Sequence, residues 1–141
     1  MKLRKPIGIA ILLLCIGTVT TQAQNKREGV KQTVYLFGFS ACFNDSIVYF
    51  TDIQKMDNVL LEKKTGFMLS RDQYSYQLRD FLANQKGMPN RTCVTMFAKS
   101  RKQAEKQYQN LMNIYTVKAK GKYEVRMLAM EFAYQYVDED E

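Results

Sequence analysis

The 141-residue chain contains no histidine. Without an imidazole there is no Ser-His-Asp or Cys-His nucleophile pair and no histidine-ligated zinc. Cysteine is nearly as scarce. Cys15 lies in the leader, leaving Cys42 and Cys93, and two thiols without histidine make a poor metal site. There is no glycine-rich phosphate loop. Long apolar runs are also missing, since residues 7–16 fall well short of the ~20 a membrane span needs. The carboxylates Asp45, Asp52, Asp57, Asp72, Asp80, Glu124 and Glu131 are scattered, and no motif sets two of them at the separation glycoside hydrolysis needs. These absences predict a protein with no cofactor, no metal and no catalytic site.

What is present begins with an export signal. Lys2, Arg4 and Lys5 precede the apolar run, and Thr21-Gln22-Ala23 puts small residues at −3 and −1 of a cleavage site. Cleavage is expected after Ala23, giving a periplasmic or secreted protein with no membrane span. Leu13-Leu14 before Cys15 lack the small residue that lipoprotein modification requires. Removal of 1–23 takes away three of the 21 Lys and Arg, leaving 18 against 14 acids in 118 residues. That is one domain's worth of chain. Residues 24–32 are polar and read as disordered, 33–137 as a single domain, and the acidic 138–141 as a solvated tail.

Within the domain, 33–43 and 46–54 are rich in aromatic and β-branched residues and read as strands. Asn44-Asp45 between them predicts a two-residue hairpin, with Phe39 opposite Phe50, Cys42 opposite Ile47 and Gly38 opposite Thr51. Residues 55–64 read as a short helix or a loop. Ser70 with Gln73, and Ser100 with Gln103, are capping boxes that open helices. Tyr74, Leu78, Phe81 and Leu82 form one apolar helical stripe; Ala104, Tyr108, Leu111, Met112 and Tyr115 form another. The two helical units match at a constant offset, Phe67 and Gln77 falling on Phe97 and Gln107, which makes an internal repeat a candidate. Residues 91–99 are a strand between the helices. A last strand, 123–136, changes phase: Tyr123, Val125, Met127 and Ala129 are apolar on odd positions, Leu128, Met130, Phe132 and Tyr134 on even ones. Burial of its centre on both sides is the favoured explanation, a bulge near Ala129 the alternative.

The order β-β-α-β-α-β predicts an α+β fold, a two-layer sandwich of about four mostly antiparallel strands with both helices on one face. A mixed sheet with one parallel βαβ unit is the runner-up.

The basic residues cluster around the second helix. Lys99, Arg101, Lys102 and Lys106 open it, and Lys118, Lys120 and Lys122 follow its end. Their ordinary reading is a solvated helix face; their functional reading is an anion-binding surface. Export turns that reading away from nucleic acid and toward a cell-wall glycan or another acidic envelope polymer. Cys42 and Cys93 are a disulfide candidate if their strands are neighbours, and otherwise two small buried residues. A protein-interaction or assembly role, with two copies pairing along a strand edge, is the alternative.

Residues 93–97 (CVTMF) followed by Ser100-Arg101-Lys102-Gln103-Ala104-Glu105 and Leu111 resemble the second half of a SPOR domain, over about 91–128. The resemblance implies a periplasmic βαββαβ module that binds peptidoglycan glycan strands lacking stem peptides on a sheet surface. This chain departs from that order in having a hairpin first and one strand between its helices, and in Ala98 where a glycine is usual, so no binding residue carries over. As a whole the chain resembles small exported proteins of the Bacteroides group. Asp45-Ser46-Ile47 is similar to that group's O-glycosylation pattern, which makes Ser46 a modification candidate. Asn44-Asp45-Ser46 and Asn90-Arg91-Thr92 are eukaryotic-type sequons, and no modification is expected there.

Overall fold

The computed structural model describes residues 27–138, so the expected signal peptide and the last three acidic residues lie outside it. The organising element is β1 (Gly29–Ala41). Strand β4 (Thr92–Ala98) runs antiparallel along one edge of it. Strands β2 (Ile47–Phe50) and β3 (Gln54–Glu62) lie end to end along the other, also antiparallel. Strand β5 (Glu124–Met127) joins β2 in parallel. Two helices complete the fold: α1 (Arg71–Gln85), and α2 (Arg101–Asn113), which runs on into a π-helical turn, Ile114–Lys118. The class is α+β with a mostly antiparallel, five-stranded sheet. Because β4 and β5 both run parallel to β2, the β4-α2-β5 unit is a parallel crossover spanning two strands.

The helices pack on opposite faces of the sheet, not on one. Along β1, Val34, Leu36 and Gly38 face α1, where they meet Leu78 and the cluster of Tyr74 and Leu82. The odd residues face α2, where Phe37 packs edge-on against Tyr108 and Phe39 lies against Tyr115. Side chains alternate across a strand, so an unbroken apolar run such as 34–39 needs cover on both sides. Here α1 covers one face of that run and α2 the other.

Three further expectations are corrected. Residues 54–62 are strand β3, not a helix or loop. Their alternation is broken because Met56 pairs with Val34 but Val59 pairs with Gln32, one residue out of step. Asn58 at φ 60° takes up the extra residue. The same strand extends β1 back to Gly29, into residues read as disordered. At the hairpin, Phe39 is opposite Phe50 as expected, and Gly38 and Thr51 are joined by Thr51 N–H to Gly38 C=O at 2.9 Å. The turn is wider than two residues, however, since β1 ends at Ala41 and β2 begins at Ile47. Asp45 accepts the Ile47 N–H at 2.9 Å and an Arg91 ion pair at 2.7 Å, which holds the loop open.

The last strand stops after Met127. Its phase is reset by a 3-10 turn, Ala129–Glu131, with Ala129 at φ 41°, and its centre is not buried on both sides: Leu128 is in the core, but Met127 and Met130 are exposed. Beyond it, residues 132–137 run extended under α1. Two glutamines hold this strap. Gln54 donates to the Phe132 carbonyl at 3.1 Å and accepts the Tyr134 N–H at 2.8 Å; Gln77 grips both backbone groups of Gln135 at 2.8 Å. The capping boxes also divide. Ser100 accepts the Gln103 N–H at 3.2 Å, whereas Ser70 sits at φ 51° and its side chain does not cap α1. The first helical unit lacks the strand and the cap of the second, so the constant offset reflects matching helix stripes.

Candidate binding groove

The groove is built where three segments meet: the bend after β3, the end of β4 and the first turns of α2. In the bend, Gly66 at φ 71° closes a tight turn with its N–H on the Glu62 carbonyl at 2.7 Å. The Phe67 carbonyl then accepts the Glu62 N–H at 2.7 Å. This geometry pushes the Phe67 ring outward, 63% exposed. Opposite it, β4 is followed by Lys99, whose ammonium stands over the turn, 3.6 Å from where a Cβ on Gly66 would lie. Ser100 then starts α2, and the helical period brings Gln103 and Gln107 onto the side facing the bend.

The result is an open groove of about 350 Å³ lined by Phe67, Arg71, Met96, Lys99, Gln103 and Gln107. Arg71 is half-buried and partly committed. Its Nε donates to the Thr95 carbonyl at 2.5 Å and its Nη2 to Met96 Sδ at 3.5 Å. A guanidinium has five N–H donors, so three remain. Gln107 is the more telling residue. Its Oε1 is shielded from solvent and is the one buried side-chain polar atom among the described residues with no hydrogen-bond partner. Leaving such an acceptor unpaired costs about 1–3 kcal/mol. A smaller depression of about 240 Å³ shares Thr65, Gly66 and Lys99 and adds Lys63 and Lys64. A larger cleft of about 980 Å³ lies at the start of β1, but it mixes Arg27, Lys31 and Lys63 with Glu28 and Asp72, and Lys63 is paired to Glu28 at 3.6 Å. It offers an anion no uniform field.

The seven basic residues singled out in the sequence do not form one surface. All are exposed. Lys99 lines the groove, and Arg101 is tied to Glu105 at 3.1 Å on the helix beside Lys102 and Lys106. Lys118, Lys120 and Lys122 lie at the far end of 18 helical residues, roughly 25 Å away at ~1.5 Å per residue. There the Lys122 ammonium sits over the Tyr123 ring at 5.4 Å. The sequence carries no local signal for Arg71 or Gln107 as site residues, and the one signal for Phe67 is an aromatic at the exit of a Thr-Gly turn.

No family model, curated protein or solved structure matches this chain. The groove is therefore read from its own chemistry.

The remaining candidates fall elsewhere. Cys42 and Cys93 are free thiols. Cys42 follows the end of β1 and Cys93 lies on the neighbouring β4, but the register sets Ser40 opposite Cys93, so the two cysteines are diagonal instead of facing. Burial pushes the Cys93 thiol above its ordinary range, which disfavours the reactive thiolate. Ser46 is exposed at the hairpin tip, with its carbonyl accepting the Glu124 N–H at 2.8 Å. Among the described residues no group of three or more Cys, Asp or Glu converges as a metal site, and no helix is long and apolar enough to cross a membrane.

Proposed function

We propose that the protein is a non-catalytic binding module of the cell envelope that takes an anionic glycan in the groove beside Phe67. The supporting observation is the convergence there of an exposed aromatic ring, a lysine, an arginine with spare donors, and two planar amides, one with an unpartnered oxygen. A sugar ring stacks its C–H face on an aromatic, and its hydroxyls exchange hydrogen bonds with amides. Carboxylate or phosphate substituents pair with Lys99 and Arg71. A hydroxyl donor in the groove would also relieve Gln107, which is a reason for a polyhydroxylated ligand over a simple anion. The export signal read at 1–23 would deliver the module to such a polymer, and the SPOR-like pattern at 91–128 points to peptidoglycan strands as the first ligand to try.

The test is co-sedimentation of residues 24–141 with isolated peptidoglycan sacculi, with and without amidase treatment, at low and physiological salt. Binding is expected to survive physiological salt. Phe67→Ala and Lys99→Glu are each expected to weaken it about tenfold, the equivalent of ~1.4 kcal/mol per contact. Lys120→Glu, at the far end of the helix, should leave it unchanged. Equal binding by both groove variants would overturn the groove, and no binding in any condition would remove wall glycan as the ligand.

Pairing of two copies along a strand edge is the second reading, and it rests on β5, a four-residue edge strand bonded only to β2. The β4 edge is unsuited, because Ser75 Oγ accepts the Thr95 N–H at 3.1 Å and Arg71 occupies the Thr95 carbonyl. Sedimentation equilibrium that shows monomer at all concentrations would end this reading.

A further inference from the structure

The opposite end of the molecule carries a second surface of different chemistry. Strand β5 runs parallel to β2 with Ile47 beside Glu124, and the Glu124 N–H donates to the Ser46 carbonyl at 2.8 Å. The chain leading into β5 therefore lies beside the hairpin tip leading into β2. Phe43 at that tip is completely exposed, with no packing role in the fold. On the π-helical turn, Val117 is 72% exposed and Ile114 is exposed beside it. Lys118, Lys120 and Lys122 follow, all facing solvent. The two acids at this end are neutralised internally. Asp45 is paired with Arg91 at 2.7 Å, and Glu124 with Arg126 at 2.7 Å. What faces outward is an aromatic, two aliphatic side chains and three ammonium groups.

We propose that this end is a peripheral docking tip for an anionic phospholipid surface. Charge complementarity selects the partner: the lysines meet headgroup phosphates, while Phe43 and Val117 enter the boundary between headgroups and acyl chains. A glycan is a poor match, because the apolar side chains project outward instead of lining a groove. Neither contact suffices alone. A few lysines are screened at physiological salt, and two or three isolated apolar side chains bury little area, so the tip binds reversibly and requires both.

The experiment is flotation of residues 24–141, which include every described residue, with vesicles of phosphatidylglycerol and phosphatidylcholine in equal parts, and with phosphatidylcholine alone, at ~0.1 M salt. The chain is expected to float with the anionic vesicles and not with the neutral ones. The double variant Phe43→Ser/Val117→Ser should lose about tenfold in partitioning, and the triple variant Lys118→Glu/Lys120→Glu/Lys122→Glu should lose it altogether. These side chains are exposed, so unchanged circular dichroism and thermal midpoints are expected to accompany the losses. The groove variant Lys99→Glu should float like the unaltered chain, which separates this surface from the glycan reading. Equal flotation with both vesicle types, no flotation with either, or unchanged flotation of the double variant would overturn the proposal.

Discussion

Gly38 shows how one residue can set the spacing between layers. A Cβ built there would meet Tyr134 Oη at 2.2 Å and Leu78 Cδ2 at 2.7 Å, so the strap and α1 both close onto bare backbone. Tyr134 in turn exchanges a hydrogen bond with Thr95 Oγ1 at 3.1 Å, and Thr95 bonds Ser75 Oγ at 3.1 Å, which leaves the buried hydroxyls paired. Gly38→Ala is therefore expected to destabilise the fold by about 1–3 kcal/mol through overpacking, read as a lower urea midpoint with an unchanged slope. The sequence places Gly38 opposite Thr51, as found. It does not show that the space above belongs to a tyrosine 96 positions later, because nothing local to Gly38 encodes that contact.

Among the elements, the strap at 132–137 depends most on partners distant in sequence. It has no ladder of its own, and its backbone is held by side-chain amides and, at Val137, by the Tyr74 hydroxyl at 3.2 Å. Each Gln54 bond serves a half-buried group, so Gln54→Ala should leave two backbone groups of the strap unpaired and cost about 2 kcal/mol. Gln77→Ala removes exposed bonds that water can replace, and should cost less than about 1 kcal/mol. Equal losses in the two variants, measured by thermal or urea unfolding, would show that the strap is not held as described. Among the helices, apolar spacing and the Ser100 cap were legible because both are local. Strand β3 was not, because the bulge at Asn58 breaks the alternation by which a strand is recognised.

At the scale of the whole molecule, the charge arrangement sets the response to pH. Asp45 is held below the usual carboxylate range, first by the Ile47 N–H and then by Arg91, and Asp57 is held low by the Thr33 hydroxyl. Groups with depressed pKa stabilise the fold above about pH 4, and that contribution is lost as pH falls through their folded values. Burial raises the Tyr134, Tyr108 and Tyr115 phenols, so their contribution is complete below about pH 10 and is lost as pH rises further. A stability plateau from about pH 5 to 9 is expected, with Asp45→Asn flattening the acid limb and Tyr134→Phe the alkaline one. Urea midpoints across pH that keep both limbs steep in the variants would contradict these assignments. Sequence by itself determined the α+β class, the two amphipathic helices, the Phe39–Phe50 register and the basic character of α2, because each follows from residue type and short-range period. Only the tertiary structure decided that the helices lie on opposite faces, that Lys99 stands apart from Lys118–Lys122, and that Phe67 and Gln107 share a groove. Those facts depend on which distant segments cover each side of β1, and burial on both sides of a strand leaves no periodicity to say which helix goes where.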